Sequence, residues 1–198
     1  MKTIRNQFYS LLALGCAAFT LSFAIPSKAD AAAYIKFDGI DGESKDKDHD
    51  KWIDILSIDW GAHKPGGGAT GQSRRRGSVV VEDLSFAKEL DKASPKLQEK
   101  CLMGEIIPKL EIELTRPVTD ANGETREVVY LKYELKNVLI TSTRFHYEAG
   151  TAGNADPVPT EDFSLNFEEI KVTYTELAGD GSKKGNVEYS WKVEEGEG

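Results

Sequence analysis

The sequence predicts an all-β domain: a curled or closed β-barrel of mainly antiparallel strands with one flanking α-helix. Three observations carry this reading. Apolar and polar residues alternate with a period of two in several runs, as in strands that turn one face inward. Turn signals rich in Gly, Asn and Asp separate those runs. Only one stretch reads as a helix from its start to its stop.

The clearest strands are Leu110–Leu114, Val129–Leu135 and Val187–Val193, in which every second residue is apolar. Each is expected to turn its apolar side inward. Tyr34–Ile40, Trp52–Trp60, Ser78–Leu84 and Val138–Tyr147 read as further strands. In Phe163–Tyr174 the alternation changes phase: Phe163, Leu165 and Phe167 share one parity, Ile170, Val172 and Tyr174 the other. A one-residue slip turns every later side chain to the opposite face, so a bulge at Glu168–Glu169 is expected to restore the facing. Asn122-Gly123 marks a hairpin turn, and Gly179–Gly185 links the last two strands. Gly61–Gly77 reads as a long loop. The helix covers about residues 95–103. Ser94 is its expected N-cap, Pro95 suits the first helical position, Leu97, Cys101 and Leu102 form its apolar face, and Gly104 stops it.

The first 29 residues stand apart. Lys2 and Arg5 precede the apolar run Leu11–Ile25, and Ser27-Lys28-Ala29 sets small residues before a cleavage point. This is the pattern of a secretory signal peptide over 1–29, cut after Ala29 or Ala31, which leaves one domain over 30–198. As a membrane anchor, about 15 apolar residues are short for a bilayer core of roughly 30 Å. Leu14-Gly15-Cys16 faintly resembles a lipoprotein box, but more apolar residues follow Cys16 than such a site should have. The expected location is therefore outside the cytoplasm, periplasmic or extracellular. The segment carries Lys2, Arg5 and Lys28 and no acidic residue, so its removal takes the net charge from −8 to −11. Such a surface repels nucleic acid and anionic membrane, and neither is an expected partner. Export also leaves Cys101 as the single cysteine, so no intramolecular disulfide can form.

Asp46-Lys-Asp-His-Asp-Lys-Trp52 places acidic residues at alternate positions, like the start of a calcium loop. Counted from Asp46, however, the turn glycine is replaced by Lys51 and the bidentate Glu by Ser57. A solvated turn explains the same residues. His49, His63 and His146 have no ligand spacing to one another or to Cys101, so no metal is expected. Cys101 reads as a small core residue of the helix. Arg74-Arg75-Arg76 is the only basic cluster, and a solvated charge run is its simplest meaning. No nucleophile elbow, phosphate-cradling loop or dinucleotide fingerprint occurs, so no cofactor and no catalytic residues are expected. On residues alone, the chain is an exported all-β binding or assembly module.

Three ordered blocks add a family resemblance. Residues 35–61, with Gly42-Glu43-Ser44, the Asp/His-rich turn, Trp52-Ile-Asp-Ile and Trp60-Gly61, resemble the opening of the Hcp family, the tube proteins of type VI secretion systems. Residues 83–97 are similar to the segment leading into that family's helix, and 163–174 to its late strand. The similarity runs over roughly residues 34–193. It implies a β-barrel with a flanking helix, six copies in a ring, rings that stack into a tube, and a lumen able to hold small effector proteins. The work of such a part is surface complementarity, with no catalytic step. Gly61–Gly77 corresponds in position to the loop by which the family's rings touch, which makes Arg74, Arg75 and Arg76 the expected contacts to an adjacent ring. A leader segment departs from the family, whose usual members lack one. Three readings follow: a ring-forming tube protein, an exported binding module that keeps the fold without the tube role, and a hydrolase using acidic residues. The sequence suggests no substrate for the last.

Overall fold

The computed structural model describes residues 32–64, 79–120, 122–149 and 158–193. In chain order these form β1 (Ala33–Phe37), β2 (Ile53–Ile55), β3 (Ser57–Asp59), β4 (Ala62–His63), β5 (Val80–Val81), β6 (Leu84–Glu89), α1 (Ser94–Met103), β7 (Ile107–Thr119), β8 (Thr125–His146), β9 (Thr160–Asn166), β10 (Glu169–Leu177) and β11 (Lys183–Lys192).

One antiparallel sheet runs β2-β1-β7-β8-β9-β6-β3, with β10 and β11 branching from β8. Hydrogen bonds do not close it. Its end strands, β2 and β3, are instead consecutive in the chain, separated only by Leu56, whose N–H donates to the carbonyl of Ala87 at 2.8 Å. The expected strand Trp52–Trp60 thus splits where the chain leaves β1 for β6. Ser78–Leu84 also divides, between β5 and β6, while β4 and β5 form a separate two-stranded ribbon.

The spine is β8, which joins the expected strands Val129–Leu135 and Val138–Tyr147 into one. Its first half pairs with β7 and β10, its second with β9. Midway sits Asn137 with φ of 50°. A short polar side chain tolerates this left-handed conformation better than most. Around it the inward residues pass from Leu135 to Val138, changing parity, just as Phe167 gives way to Ile170 on the partner side. The registers Lys136↔Glu169 and Leu139↔Asn166 carry straight across this point. The expected bulge at Glu168–Glu169 is therefore absent. Both chains change face together, and the run breaks into β9 and β10. Asn137 Nδ2 donates to the Glu168 carboxylate, and the Glu168 N–H donates to the Lys136 carbonyl at 3.1 Å. The register shift beside this bend lies between Ile140 and Ser142 instead.

The core fills the curl with Ile35, Phe37, Leu84, Phe86, Leu110, Ile112, Leu135, Ile140, Phe163 and Leu165. Each such side chain contributes about 1.5–3 kcal/mol by leaving water. Leu97 plugs α1 onto this core. Leu102 does not join it and is 85% exposed. Five residues along a helix advance about 140° around the axis, which carries Leu102 away from the face Leu97 uses. Ser94 is not the N-cap: Ala93 holds that position, without a side-chain cap. The Ser94 hydroxyl is drawn inward by a buried charge cluster. Lys88 Nζ lies 2.7 Å from Glu161 Oε1 and donates to Asp91 Oδ1 (2.8 Å), Ser94 Oγ (3.0 Å) and the Glu89 carbonyl (2.7 Å). Ser94 Oγ donates in turn to Glu161. Gly104, with φ of 63°, ends the helix as expected.

Candidate functional site

Antiparallel registers place apolar residues in three rows across five strands. One row is Phe37, Leu110, Leu135, Ile170 and Trp191; the next is Ile35, Ile112, Tyr133, Val172 and Tyr189; the third is Ala33, Leu114, Leu131, Tyr174 and Val187. On β1 and β7 the first two rows are sealed in the core. Toward β11 the second and third rows emerge into solvent, while Trp191 at the end of the first row stays partly buried against the core. Tyr174 is 42% exposed, Tyr189 50% and Val187 74%. The expectation that β11 turns its apolar face inward holds at Trp191 and Val193, which pack partly buried against the core, and is corrected at Val187 and Tyr189, which are exposed.

The same corner holds an apolar recess of about 200 Å³ between the β4–β5 ribbon and β10–β11. Trp60, Ala62, Val79, Val81, Ile170, Tyr189 and Trp191 line it. The indole N–H of Trp60 is buried there without a hydrogen-bond partner among the described residues. Among the described residues, strand β11 pairs with β10 and with no other strand, which makes it an edge strand. An exposed apolar patch continuous with an open strand edge is an interaction surface by its physics.

The opposite face of the same strands is charged, with signs interleaved. Lys132 Nζ bridges Glu111 (2.5 Å) and Glu113 (3.1 Å), Lys109 meets Glu111 at 2.5 Å, Lys136 meets Glu169 at 2.7 Å, and Lys171 meets Glu188 at 3.1 Å. Partial burial pushes the Glu111 carboxyl up, but its hydrogen bonds from Lys109 and Lys132 outweigh this and hold it below the usual range. For Lys132, burial pulls the ammonium down, and the bonds to Glu111 and Glu113 reverse that and raise it. The two faces therefore differ in kind: one is electrostatically satisfied within the subunit, the other is not covered by it.

The turn at Asp46–Trp52 is more than solvated. Asp46 Oδ1 accepts the N–H groups of Asp48 and His49, each at 3.0 Å, and lies 2.7 Å from His49 Nδ1. Burial pushes the Asp46 carboxyl up, and these hydrogen bonds overcome it and hold it low. His49 itself is buried, with Nε2 at 3.0 Å from Glu113 and its ring stacked on Tyr34 at 4.0 Å. Burial and the neighbouring Glu127 carboxylate, 3.1 Å away, push the Tyr34 hydroxyl well above its usual value. The turn is thereby pinned to β7. Among the described residues, no group of three or more His, Cys, Asp or Glu side chains is arranged to hold a metal ion. His63 and His146 lie at separate surface positions, paired with Glu82 and Asp162. Cys101 is half-buried on α1. Arg74, Arg75 and Arg76, together with the leader 1–29, lie outside the described residues.

Sequence reasoning missed Tyr174, Val187 and Tyr189 as surface residues. Alternation identifies an apolar face but does not say what covers it.

The structure is an all-β domain with one helix and an apolar corner exposed among the described residues. Comparisons with known proteins supply its kinship. The pattern of the family described as "Type VI secretion system effector, Hcp" matches residues 34–174. Protein hcp1 of Pseudomonas aeruginosa PAO1 is 36% identical over 161 residues, spanning 81% of this chain and 93% of that protein. Among solved structures, a type six secretion system protein superposes with a TM-score of 0.71 at 27% identity, over 84% of this chain and 98% of its own. A type VI secretion system effector from Yersinia pestis gives 0.58, also at 27%, over 81% and 99%. This chain belongs to the Hcp family of type VI secretion proteins.

Proposed function

We propose that this chain is a ring-forming building block of a type VI secretion tube. Six copies close head to tail, and the work is done by surface contact without a catalytic step. The observation that carries this is the apolar corner of β10 and β11. A ring is heterologous: one face of each subunit meets a different face of the next, and the rotation closes. Covering Tyr174, Val187 and Tyr189 supports that contact at up to about 1.5–3 kcal/mol for each large side chain fully removed from water.

Rings then stack through the Gly61–Gly77 loop, with Arg74, Arg75 and Arg76 meeting acidic groups of the adjacent ring. The lumen is wide enough in this reading to hold small effector proteins. The leader-like first 29 residues place the mature chain, 30–198, in the periplasm or outside the cell. They also favour a second reading, an exported binding module that keeps the fold without the tube role.

Native mass and negative-stain imaging of the chain beginning at Asp30 separate the two. A six-subunit species supports the ring, and single chains at high concentration refute it. The variant Val187→Asp should dissociate the ring while leaving the thermal midpoint of the single subunit unchanged, because that side chain is already 74% exposed in it. Replacing all three arginines by Ala should shorten stacks, most at low salt, where charge contacts are least screened. Unchanged stack length removes the arginines from the contact. N-terminal sequencing of cell fractions tests the cleavage point.

A further inference from the structure

The corner of β10 and β11 has a complementary surface at the far edge of the same sheet. We propose that the corner of one copy seats on the recess around Leu56 and Leu90 of the next, with Arg126 and Lys183 facing Asp54 and Glu89. This rests on the ring reading and names the second surface of that contact.

The corner is bordered by cations. Residues directly opposite each other on antiparallel strands share a face. Arg116 opposes Val128, Arg126 opposes Val118, and Lys183 opposes Leu177. Val118, Val128 and Leu177 form the small cluster that Tyr130 joins, and Tyr130 packs edge-on to Tyr174 of the corner. The Arg116 guanidinium lies 5.7 Å from the centre of the Tyr130 ring. The carboxylates of the adjoining turns are engaged locally. Asp120 accepts the N–H groups of Asn122 and Glu124. Asp180, beside Arg126, accepts the N–H and the hydroxyl of Ser182, and Glu176 pairs with Lys184. The corner thus offers an apolar centre and a rim of cations, on a chain whose net charge is −8. Such a rim favours an anionic partner, and other copies of this chain are anionic.

The complementary surface lies at the opposite edge. Through β1, β7, β8 and β10 the strands run from β2 at one end to β11 at the other. Beside β2 a recess of about 500 Å³ opens between Leu56 and Leu90, which are 59% and 41% exposed. Four carboxylates line it, those of Glu43, Asp54, Glu89 and Asp91, against one cation, Lys45. Asp91 is paired with Lys88, and Glu43 accepts the Lys92 N–H at 3.1 Å. Asp54 and Glu89 are exposed and face outward to a partner. Leucines with a carboxylate rim therefore answer Tyr174, Val187 and Tyr189 with a cationic rim. An apolar centre inside a polar rim is the usual anatomy of a protein interface. Two different surfaces on opposite edges of one sheet also meet the requirement of a head-to-tail contact.

The test reverses charge on each surface in the full chain and reads native mass. One variant carries Arg126→Glu and Lys183→Glu, the other Asp54→Lys and Glu89→Lys. All four side chains are exposed, and a thermal midpoint close to the parent's establishes that each variant folds. Alone, each should need at least about tenfold more protein than the parent to form a six-subunit species, because like charges then meet at every contact. Mixed one to one, the two should recover the parent's behaviour in rings holding three copies of each. A variant that closes rings as readily as the parent, or a mixture that does not recover, overturns the proposal. A second measurement needs no variant: raising the salt should weaken the parent ring, and a ring indifferent to salt overturns the proposal too. Rings in the parent that neither variant disturbs remove this contact and leave the ring reading standing, whereas a parent that stays single at high concentration removes both. Binding of the parent to phosphatidylglycerol vesicles that Arg126→Glu, Lys183→Glu abolishes, with rings unaffected, assigns the corner to lipid and overturns the proposal as well.

Discussion

Replacing Lys88 by Met should be among the most damaging single changes in the subunit, and replacing Glu161 by Leu at the same time should repair most of the damage. Both side chains are fully buried, and the ammonium lies 2.7 Å from the carboxylate. Removing the cation leaves the Glu161 carboxylate in the interior with only Ser94 and, at 3.5 Å, Gln98 as donors. Breaking one partner of a buried ion pair costs about 3–5 kcal/mol, because the remaining charge is dehydrated without compensation. In a domain of this size, 1 kcal/mol moves the thermal midpoint by about 2–4 °C, so the loss is about 6–20 °C. Substituting both with apolar residues of similar volume removes the fully buried charge with its mate and is often neutral or better, while Asp91, partly exposed, keeps its hydrogen bond from the Ala93 N–H. The cluster ties β6, β9 and the first turn of α1 together, so the single variant should also loosen the helix. Urea unfolding monitored by tryptophan fluorescence gives the three midpoints and the coupling. A Lys88→Met variant within about 1 kcal/mol of the parent, or a double variant as unstable as the single, would show that the cluster is hydrated and refute this reasoning.

Three further outcomes follow from the geometry. At Asn137, where φ is 50°, replacement by Val should cost about 1–3 kcal/mol of strain and Gly much less, read from urea midpoints; equal effects would remove the bend's conformational demand. His49→Phe should destabilise by about 1.5–3 kcal/mol through the loss of hydrogen bonds to two carboxylates, with protease cleavage rising between Gly42 and Trp52 and not elsewhere. Stability should also depend on pH at both ends. Glu111 and Asp46 are held low, so their contribution is present above the ordinary carboxylate values of about 4 and lost as pH falls through the folded ones. Lys132 is held high, so its contribution is present below about 10.4 and lost as pH rises through the folded value. The urea midpoint should be level between these limits and fall on either side, with Glu111→Gln blunting the acid branch.

Local patterns reveal faces and ends but not partners. The alternation in Leu110–Leu114 and Val129–Leu135 was legible because both strands lie mid-sheet, where the apolar side must be buried. The same alternation in Val187–Val193 was equally legible but gave the right burial only for Trp191 and Val193; Val187 and Tyr189 are exposed, because an edge strand has only one neighbour. The parity change in Phe163–Tyr174 was visible too. Its meaning was not, since the compensating change at Asn137 lies on another strand, and register between strands is a pairwise property. Ser94 reads as a cap because caps are local. The charge it serves instead comes from Lys88 and Glu161, the latter 67 residues away in sequence. His49 reads as solvated for the same reason: Glu113, which draws it inward, is 64 residues distant.

The all-β class, the single helix and its glycine stop, the acidic charge of the chain and, through three ordered blocks, the family can all be read along the chain. These depend on periodicity, composition and motif, which neighbouring residues encode. Folding in three dimensions was needed to show that the curl is closed by the chain at Leu56 without a hydrogen-bonded seam, and that Lys88 and Glu161 are buried together. It alone left Tyr174, Val187 and Tyr189 uncovered. Burial is set by what stands opposite a residue, and strands far apart in sequence supply that, or fail to.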